Sequence, residues 1–211
     1  MQTSDVGELS ARAHRLAVPG RRRILGIAGP PGAGKSTLAE RLVDGLGGLA
    51  VLVPMDGFHL AQAELGRLGR ARRKGAPDTF DAAGYAALLR RLRTPGDQGP
   101  VYAPAFDRTL EEPIAGAIPV PPDIPLVVTE GNYLLHDDGP WAPVRRLLDE
   151  VWFLDLEPDV RVRRLVDRHV RFGKPRPYAE RWVAESDETN ARLVDRGRDR
   201  ADLVVRLRPA V

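Results

Sequence analysis

Gly29-Pro30-Pro31-Gly32-Ala33-Gly34-Lys35-Ser36 fits the pattern G-x-x-x-x-G-K-[ST], the phosphate-binding P-loop. Each fixed position has a mechanical job. The glycines let the backbone turn tightly and aim its N–H groups at phosphate oxygens. Lys35 reaches the β- and γ-phosphates, the Ser36 hydroxyl can ligate Mg²⁺, and the stretch that binds nucleotide runs on through Thr37. The flanks match what the motif requires. Ile24 to Ala28 is a short apolar strand. Residues 35–46 read as a helix with Leu38, Leu42, Val43 and Leu46 on one face, stopped by Gly47-Gly48, so the positive helix end points at the bound anion.

Short apolar runs recur outward from this point. Ala50 to Pro54, Leu126 to Thr129, Val151 to Leu156 and Leu203 to Leu207 read as further strands. Helices are expected over 5–17 (capped by Ser4), 81–93, 159–171 and 178–196, with a weakly helical basic segment at 60–73. The stretch 94–125 is rich in Pro and Gly, with room for a hairpin between Val101-Tyr102 and Ile118 to Val120. Strands alternating with helices predict an α/β fold, a parallel sheet covered on both faces. There is no internal repeat or linker, so residues 1–211 read as one domain. Within it, 57–120 is taken as an insertion that builds the acceptor side and 159–178 as a lid.

The composition narrows the function classes. The chain has 211 residues, 43% of them hydrophobic, with no run long enough to span a membrane. It has no cysteine, so neither disulfides nor thiol chemistry are available, and its first residues lack an apolar signal core. A cytoplasmic enzyme is expected. The net charge of +3 does not call for nucleic acid, and no RNA-binding motif is present. Of 32 basic residues only Lys35, Lys74 and Lys174 are lysine, and the last two sit in glycine-containing basic loops. Since lysine is a compact point charge where arginine is a planar fork, those two are read as facing phosphate or substrate, with a solvated loop as the alternative.

Ligands in such folds sit beyond the carboxyl ends of the strands, which selects the residues just after each one. Asp56, after the second strand, can accept a hydroxyl proton or bind magnesium. Glu130, after the third, has the position of an acid that acts on magnesium directly or through water. Arg161, Arg164 and Arg168 recur at i, i+3 and i+7 and share one helical face. With Arg171 and Lys174 beyond them they are read as a lid that closes cations over phosphates, or else as a solvated basic face. Arg164 and Arg168 join Asp56 and Lys35 as catalytic candidates. His59, Arg73, Lys74, Tyr102, Phe106, Asp107, Arg108 and Tyr133 are candidates for the acceptor pocket.

Taken together, Gly29 to Ser36, Met55-Asp56-Gly57-Phe58-His59, Lys74-Gly75-Ala76-Pro77-Asp78-Thr79-Phe80-Asp81, Tyr102 to Arg108, Glu130-Gly131-Asn132-Tyr133-Leu134-Leu135 and Arg168 to Lys174 resemble the P-loop kinases of the uridine kinase, phosphoribulokinase and bacterial pantothenate kinase group. They are most similar to a branch with members named fructose transport system kinases. The resemblance covers residue 20 to the C-terminus. It implies a three-layer fold on a five-stranded parallel sheet of order 2-3-1-4-5, ATP as donor and Mg²⁺ as cofactor. It also implies Asp56 as base, Glu130 as the magnesium-associated acid and the helix from 159 as the lid. The expected partner is a small hydroxylated acceptor, nucleoside-like first and pantothenate or a sugar next. A homodimer is allowed, and neither membrane nor nucleic acid is expected. The reading from a different class is a P-loop switch that hydrolyses nucleotide, against which the missing Asn-Lys-x-Asp guanine signature counts.

Overall fold

The computed structural model describes residues 2–94 and 99–207, with side chains from Asp5 onward. The chain opens with strand β1 (Gln2–Ser4) and helix α1 (Val6–Leu16). Strand β2 (Arg23–Ala28) leads through the P-loop into α2 (Lys35–Leu46), followed by β3 (Ala50–Leu52) and a 3-10 turn (Met55–Phe58). Helices α3 (Gln62–Arg67) and α4 (Ala82–Arg93) precede a hairpin of β4 (Val101–Asp107) and β5 (Glu112–Val120). Then come β6 (Leu126–Gly131), β7 (Glu150–Asp155) and α5 (Pro158–Arg171). Helices α6 (Arg176–Trp182) and α7 (Glu188–Asp195) are joined by a π-helical turn (Val183–Asp187), and β8 (Leu203–Leu207) closes the described chain.

The large sheet has the order β1-β8-β7-β2-β6-β3, with every pair parallel. Its five central members have the expected order, with β2 in the middle. The sixth, β1, extends the edge beyond β8, and the sequence reading had no strand there. Gln2–Ser4 carries no apolar signal, and its membership rests on backbone pairing to Val205, Arg206 and Leu207. The cap of α1 is Asp5 rather than Ser4. The Asp5 carboxylate accepts from the Glu8 amide at 2.8 Å while the Glu8 carboxylate accepts from the Asp5 amide at 3.2 Å, a reciprocal capping box.

Alternation along the strands builds two cores. Leu25 and Ile27 of β2, Leu126 and Val128 of β6, and Trp152 and Leu154 of β7 face α1 and α2. Ile24, Val127, Val151 and Phe153 face the other way, toward α4 with its Tyr85, Leu88, Leu89 and Leu92. The result is three layers, each internal side chain contributing about 1.5–3 kcal/mol by leaving water. Helix α4 is therefore part of the core rather than of an appended acceptor module. The parts of 57–120 that stand apart from the sheet are α3, the turns around it and the hairpin. One buried polar chain ties α4 to the sheet: Tyr85 Oη donates to Thr129 Oγ1 at 2.6 Å, and Thr129 Oγ1 donates to the Val53 carbonyl at 2.6 Å. Among the described residues no helix is long and apolar enough to cross a membrane.

The hairpin is clamped onto the turn that carries Asp56. A Cβ at Gly57 would stand 2.3 Å from the Pro104 carbonyl oxygen, and backbone on both sides has no flexible end to yield. Gly57→Ala is therefore expected to lower stability by about 1–3 kcal/mol, the usual cost of overpacking, and to push the hairpin off the turn. Chemical denaturation checks the first effect; an unchanged midpoint contradicts the contact.

Candidate active site

The P-loop connects the buried end of β2 to α2. Gly32 has φ +80° and Gly34, the N-cap of α2, has φ +96°, both in the left-handed region that glycine tolerates. A Cβ at Gly32 would lie 2.7 Å from Leu165 Cγ and 3.0 Å from the Arg161 carbonyl, so α5 packs directly on the loop. Gly34 offers α2 no side-chain cap, which leaves the amides of its first turn, Lys35, Ser36 and Thr37, to an incoming anion.

Lys35 is only 7% exposed. Its ammonium donates to the Pro30 carbonyl at 3.1 Å and to Asn132 Oδ1 at 2.7 Å. Burial pulls its pKa down to about 8, against the attraction of Glu130 and Asp56. Ser36 Oγ donates to Glu130 Oε1 at 3.0 Å. Glu130 is 5% exposed, and burial, seconded by the Asp56 charge, raises its pKa to about 6. The β6 end thus presents a carboxylate and, two residues on, the amide that holds Lys35. Asn132 was not singled out by sequence reasoning, although its place just after an apolar strand was a usable signal.

Asp56 stands across the cleft on the turn after β3. Arg108 Nη2, at the end of the hairpin, lies 3.4 Å from Asp56 Oδ2. His59 hydrogen-bonds the Asp56 carbonyl through Nδ1 at 2.9 Å and lies tilted between Phe80 (4.0 Å between ring centres) and Phe106 (4.8 Å). Burial lowers the His59 pKa. Lys74 donates to the Glu111 carbonyl at 2.6 Å and lies 5.1 Å above Phe106. The P-loop, Asp56, His59, Lys74, Phe106, Arg108 and Glu130 all line one cleft of about 700 Å³.

The arginine face of α5 divides into different jobs. Arg161 is buried, donates to the Pro31 carbonyl at 3.4 Å and pairs with Glu188 of α7, which makes it a brace for the P-loop. Arg164 is exposed, and its Nη1 is 3.8 Å from where a Gly34 Cβ would be. Arg168 lines the cleft. His169 bonds Asp187 at 3.0 Å. Lys174 also lines the cleft, lying 4.9 Å over Trp182 and 5.7 Å over Tyr178.

Four expected acceptor-pocket residues are elsewhere. Tyr133 is fully buried among Phe80 and Trp141, and its hydroxyl donates to the Gly75 carbonyl; it supports the cleft from below. Tyr102 is 57% exposed, because strand alternation turns it to the opposite face from buried Val101 and Ala103. Arg73 is held by Asp78, with Nη1 to Oδ1 at 2.8 Å, and borders a separate, smaller cavity. Arg70 shares that carboxylate at 3.3 Å, so the basic segment 70–74 is partly neutralised. Asp107 is engaged by the amides of Thr109 and Leu110, which shape the hairpin turn.

For a metal, the donors are the Ser36 hydroxyl and the Glu130 and Asp56 carboxylates, all hard oxygens. Among the described residues no cluster of three or more His, Cys, Asp or Glu could cage an ion. That set fits Mg²⁺, which keeps water and phosphate ligands and needs only one or two carboxylates.

The model of the phosphoribulokinase/uridine kinase family matches residues 24–211, and the chain belongs to that family as a P-loop kinase. Protein C227.14 of Schizosaccharomyces pombe, provisionally named a uridine kinase, is 36% identical over 81% of this chain and 76% of its own length. The Aspergillus versicolor protein notR′, named ATP-dependent kinase-like, is 33% identical over 65% of this chain and 84% of its own. The crystal structure of a protein from Silicibacter sp. TM1040, provisionally named a fructose transport system kinase, superimposes with a TM-score of 0.86 at 34% identity, covering 95% of this chain and 98% of that one.

The depressed Lys35 pKa has a measurable consequence. A bound polyphosphate restores the proton that burial disfavours, so ADP binding at about pH 8.5 draws in on the order of half a proton. Calorimetry in buffers of different ionisation enthalpy reads this uptake. The Lys35 share of this uptake shrinks toward pH 7, where the lysine is already mostly charged; no uptake at the higher pH contradicts the assignment.

Proposed function

We propose that this kinase transfers the γ-phosphoryl group of ATP to an alcohol of a small metabolite, a nucleoside-like compound first among the acceptors. The observation that carries the reading is the pairing of Asp56 with the P-loop across one cleft. Its carboxylate is close enough to perturb Lys35 and Glu130, yet it sits on the hairpin side, where an acceptor enters. A switch that hydrolyses nucleotide has no need of a base facing an acceptor chamber of this size.

The residues then have separate tasks. The P-loop amides and Lys35 hold the β- and γ-phosphates, as expected of the motif. Asp56 receives the hydroxyl proton as the acceptor oxygen attacks. Arg108, 3.4 Å from Asp56, holds that carboxylate near its place, while His59 and Phe106 wall the acceptor. Arg164 and Arg168 bring positive charge to the side from which the phosphoryl group moves. Ser36 and Glu130, with Asp56 nearby, would hold Mg²⁺, which would supply charge neutralisation on the phosphates. ATP as donor is supported by the motif and by relatives whose names say ATP-dependent kinase.

ADP release measured against a panel of nucleosides, pantothenate and sugars tests the reading. Acceptor-stimulated release is expected, and Asp56→Asn is expected to lower it by roughly 10²-fold or more while ADP still binds, as for loss of a general base. Release indifferent both to acceptor and to this substitution removes Asp56 from the mechanism and the transfer reading with it.

A further inference from the structure

Arg108 follows β4 directly and lines the cleft on the hairpin side. Two contacts fix where it stands. The Asp107 carboxylate accepts from the Thr109 and Leu110 amides at 2.7 and 2.9 Å, a turn that sets the direction in which the chain leaves the strand. The close approach of Gly57 to the Pro104 carbonyl fastens the hairpin to the turn that carries Asp56. Arg108 and Asp56 are thus held on one unit, with Arg108 Nη2 3.4 Å from Asp56 Oδ2.

This pair is loose. A saturated charge-assisted hydrogen bond is about 2.7–2.9 Å long. The Arg108 side chain is 46% exposed, and open ion pairs contribute little to stability. Asp56 is its sole carboxylate partner among the described residues. A guanidinium has several N–H donors in a fork, so one such contact leaves most of them unused.

A second arginine enters the same space from another element. Arg168 of α5 also lines the cleft. Desolvation by the cleft walls lowers its pKa first and the Arg108 charge lowers it next, ahead of the opposing pull of Asp187, Asp56 and Glu130. The two guanidiniums are near enough to repel, and an anion between them relieves the repulsion. Gly32, Lys35 and Ser36 of the P-loop line this cleft too, so the anion at hand is the terminal phosphate of a bound nucleotide. A base works within about 2.6–3.2 Å of the hydroxyl it deprotonates, and the attacking oxygen starts about 3–3.5 Å from phosphorus. A cation 3.4 Å from the base stands beside that path.

Resting on the transfer reading above, we infer that Arg108 is a catalytic residue: it binds the γ-phosphoryl group in flight from the hairpin side while Arg168 binds it from α5. The acceptor hydroxyl gives its proton to Asp56 and its oxygen bonds to the γ-phosphorus. The bond from that phosphorus to the β–γ bridging oxygen breaks, and its electron pair leaves with ADP. Both guanidiniums meet the charge spread over the equatorial phosphoryl oxygens. Arginine suits the double contact, since its planar fork keeps one N–H on Asp56 and presents others to the phosphoryl group. The hairpin thereby supplies a cation to the reaction as well as a wall for the acceptor.

The rival is that Arg108 only positions Asp56, and a double-mutant cycle separates the two. ADP release is measured with Mg²⁺, ATP and whichever acceptor from the panel of nucleosides, pantothenate and sugars stimulates it most. Arg108→Ala is expected to lower kcat roughly 10²-fold with KM for the acceptor within about threefold. In the Asp56→Asn background the same substitution is expected to cost a further factor of about ten or more, because a phosphoryl contact outlives the base. ADP affinity, read by calorimetry, reports the fold and the nucleotide site. If Arg108→Ala impairs it, Arg108→Gln, which keeps the stem, takes its place in the cycle. A kcat within about threefold of wild type, or a cost that disappears once Asp56 is replaced by Asn, overturns the inference but leaves acceptor phosphorylation standing. Release that ignores every acceptor and Asp56→Asn alike overturns the transfer reading itself, and this inference with it.

Discussion

The structure depends on a lysine ammonium held almost out of water before any phosphate arrives. Lys35 is kept in place by a carbonyl of its own loop and by Asn132 from the neighbouring strand end, with Glu130 buried close by. Desolvating both charges is costly, and their attraction offsets only part of it. The cost appears as a lysine shifted down and a glutamate shifted up. A phosphate relieves the first and a cation the second, so the strain of the free chain is stored where ligands bind. Such preorganised charge stabilises a transition state because nothing must reorient when negative charge moves.

That arrangement needs rigid support, and α5 supplies it. Leu165 and Arg161 occupy the space a Gly32 side chain would take, Arg161 ties the loop to α7 through Glu188, and α7 in turn brings Asn190 to the cleft. One helix thus braces the phosphate cradle with Arg161, offers Arg168 to the cleft and brings Arg164 near Gly34 of the loop. The phosphate and acceptor halves are connected through it.

Much of this was legible in the sequence, because it is written in residue type at strand ends. The P-loop, Asp56 and Glu130 all follow apolar runs, and the parallel order of the five central strands follows from where those runs fall. The misses share a physical cause. β1 is three polar residues that pair with β8 through the backbone. Tyr133 and Tyr102 were read as pocket walls from aromaticity, but a tyrosine at a strand end packs wherever the core has room, and alternation decides the face. Arg73 was read as an acceptor-pocket residue, and only folding reveals that Asp78 takes it. Asn132 offered only its place just after an apolar strand, and it is recognised by the Lys35 ammonium it holds.

The central claim is that Lys35, Asp56 and their neighbours deliver a phosphoryl group to an alcohol and not to water. Turnover with a stimulating acceptor in ¹⁸O-enriched water, followed by mass spectrometry of the products, tests it most directly. The account predicts phosphorylated acceptor equal to the ADP formed, with no solvent ¹⁸O in its phosphoryl group and little inorganic phosphate. Inorganic phosphate carrying one solvent ¹⁸O and matching the ADP mole for mole contradicts it.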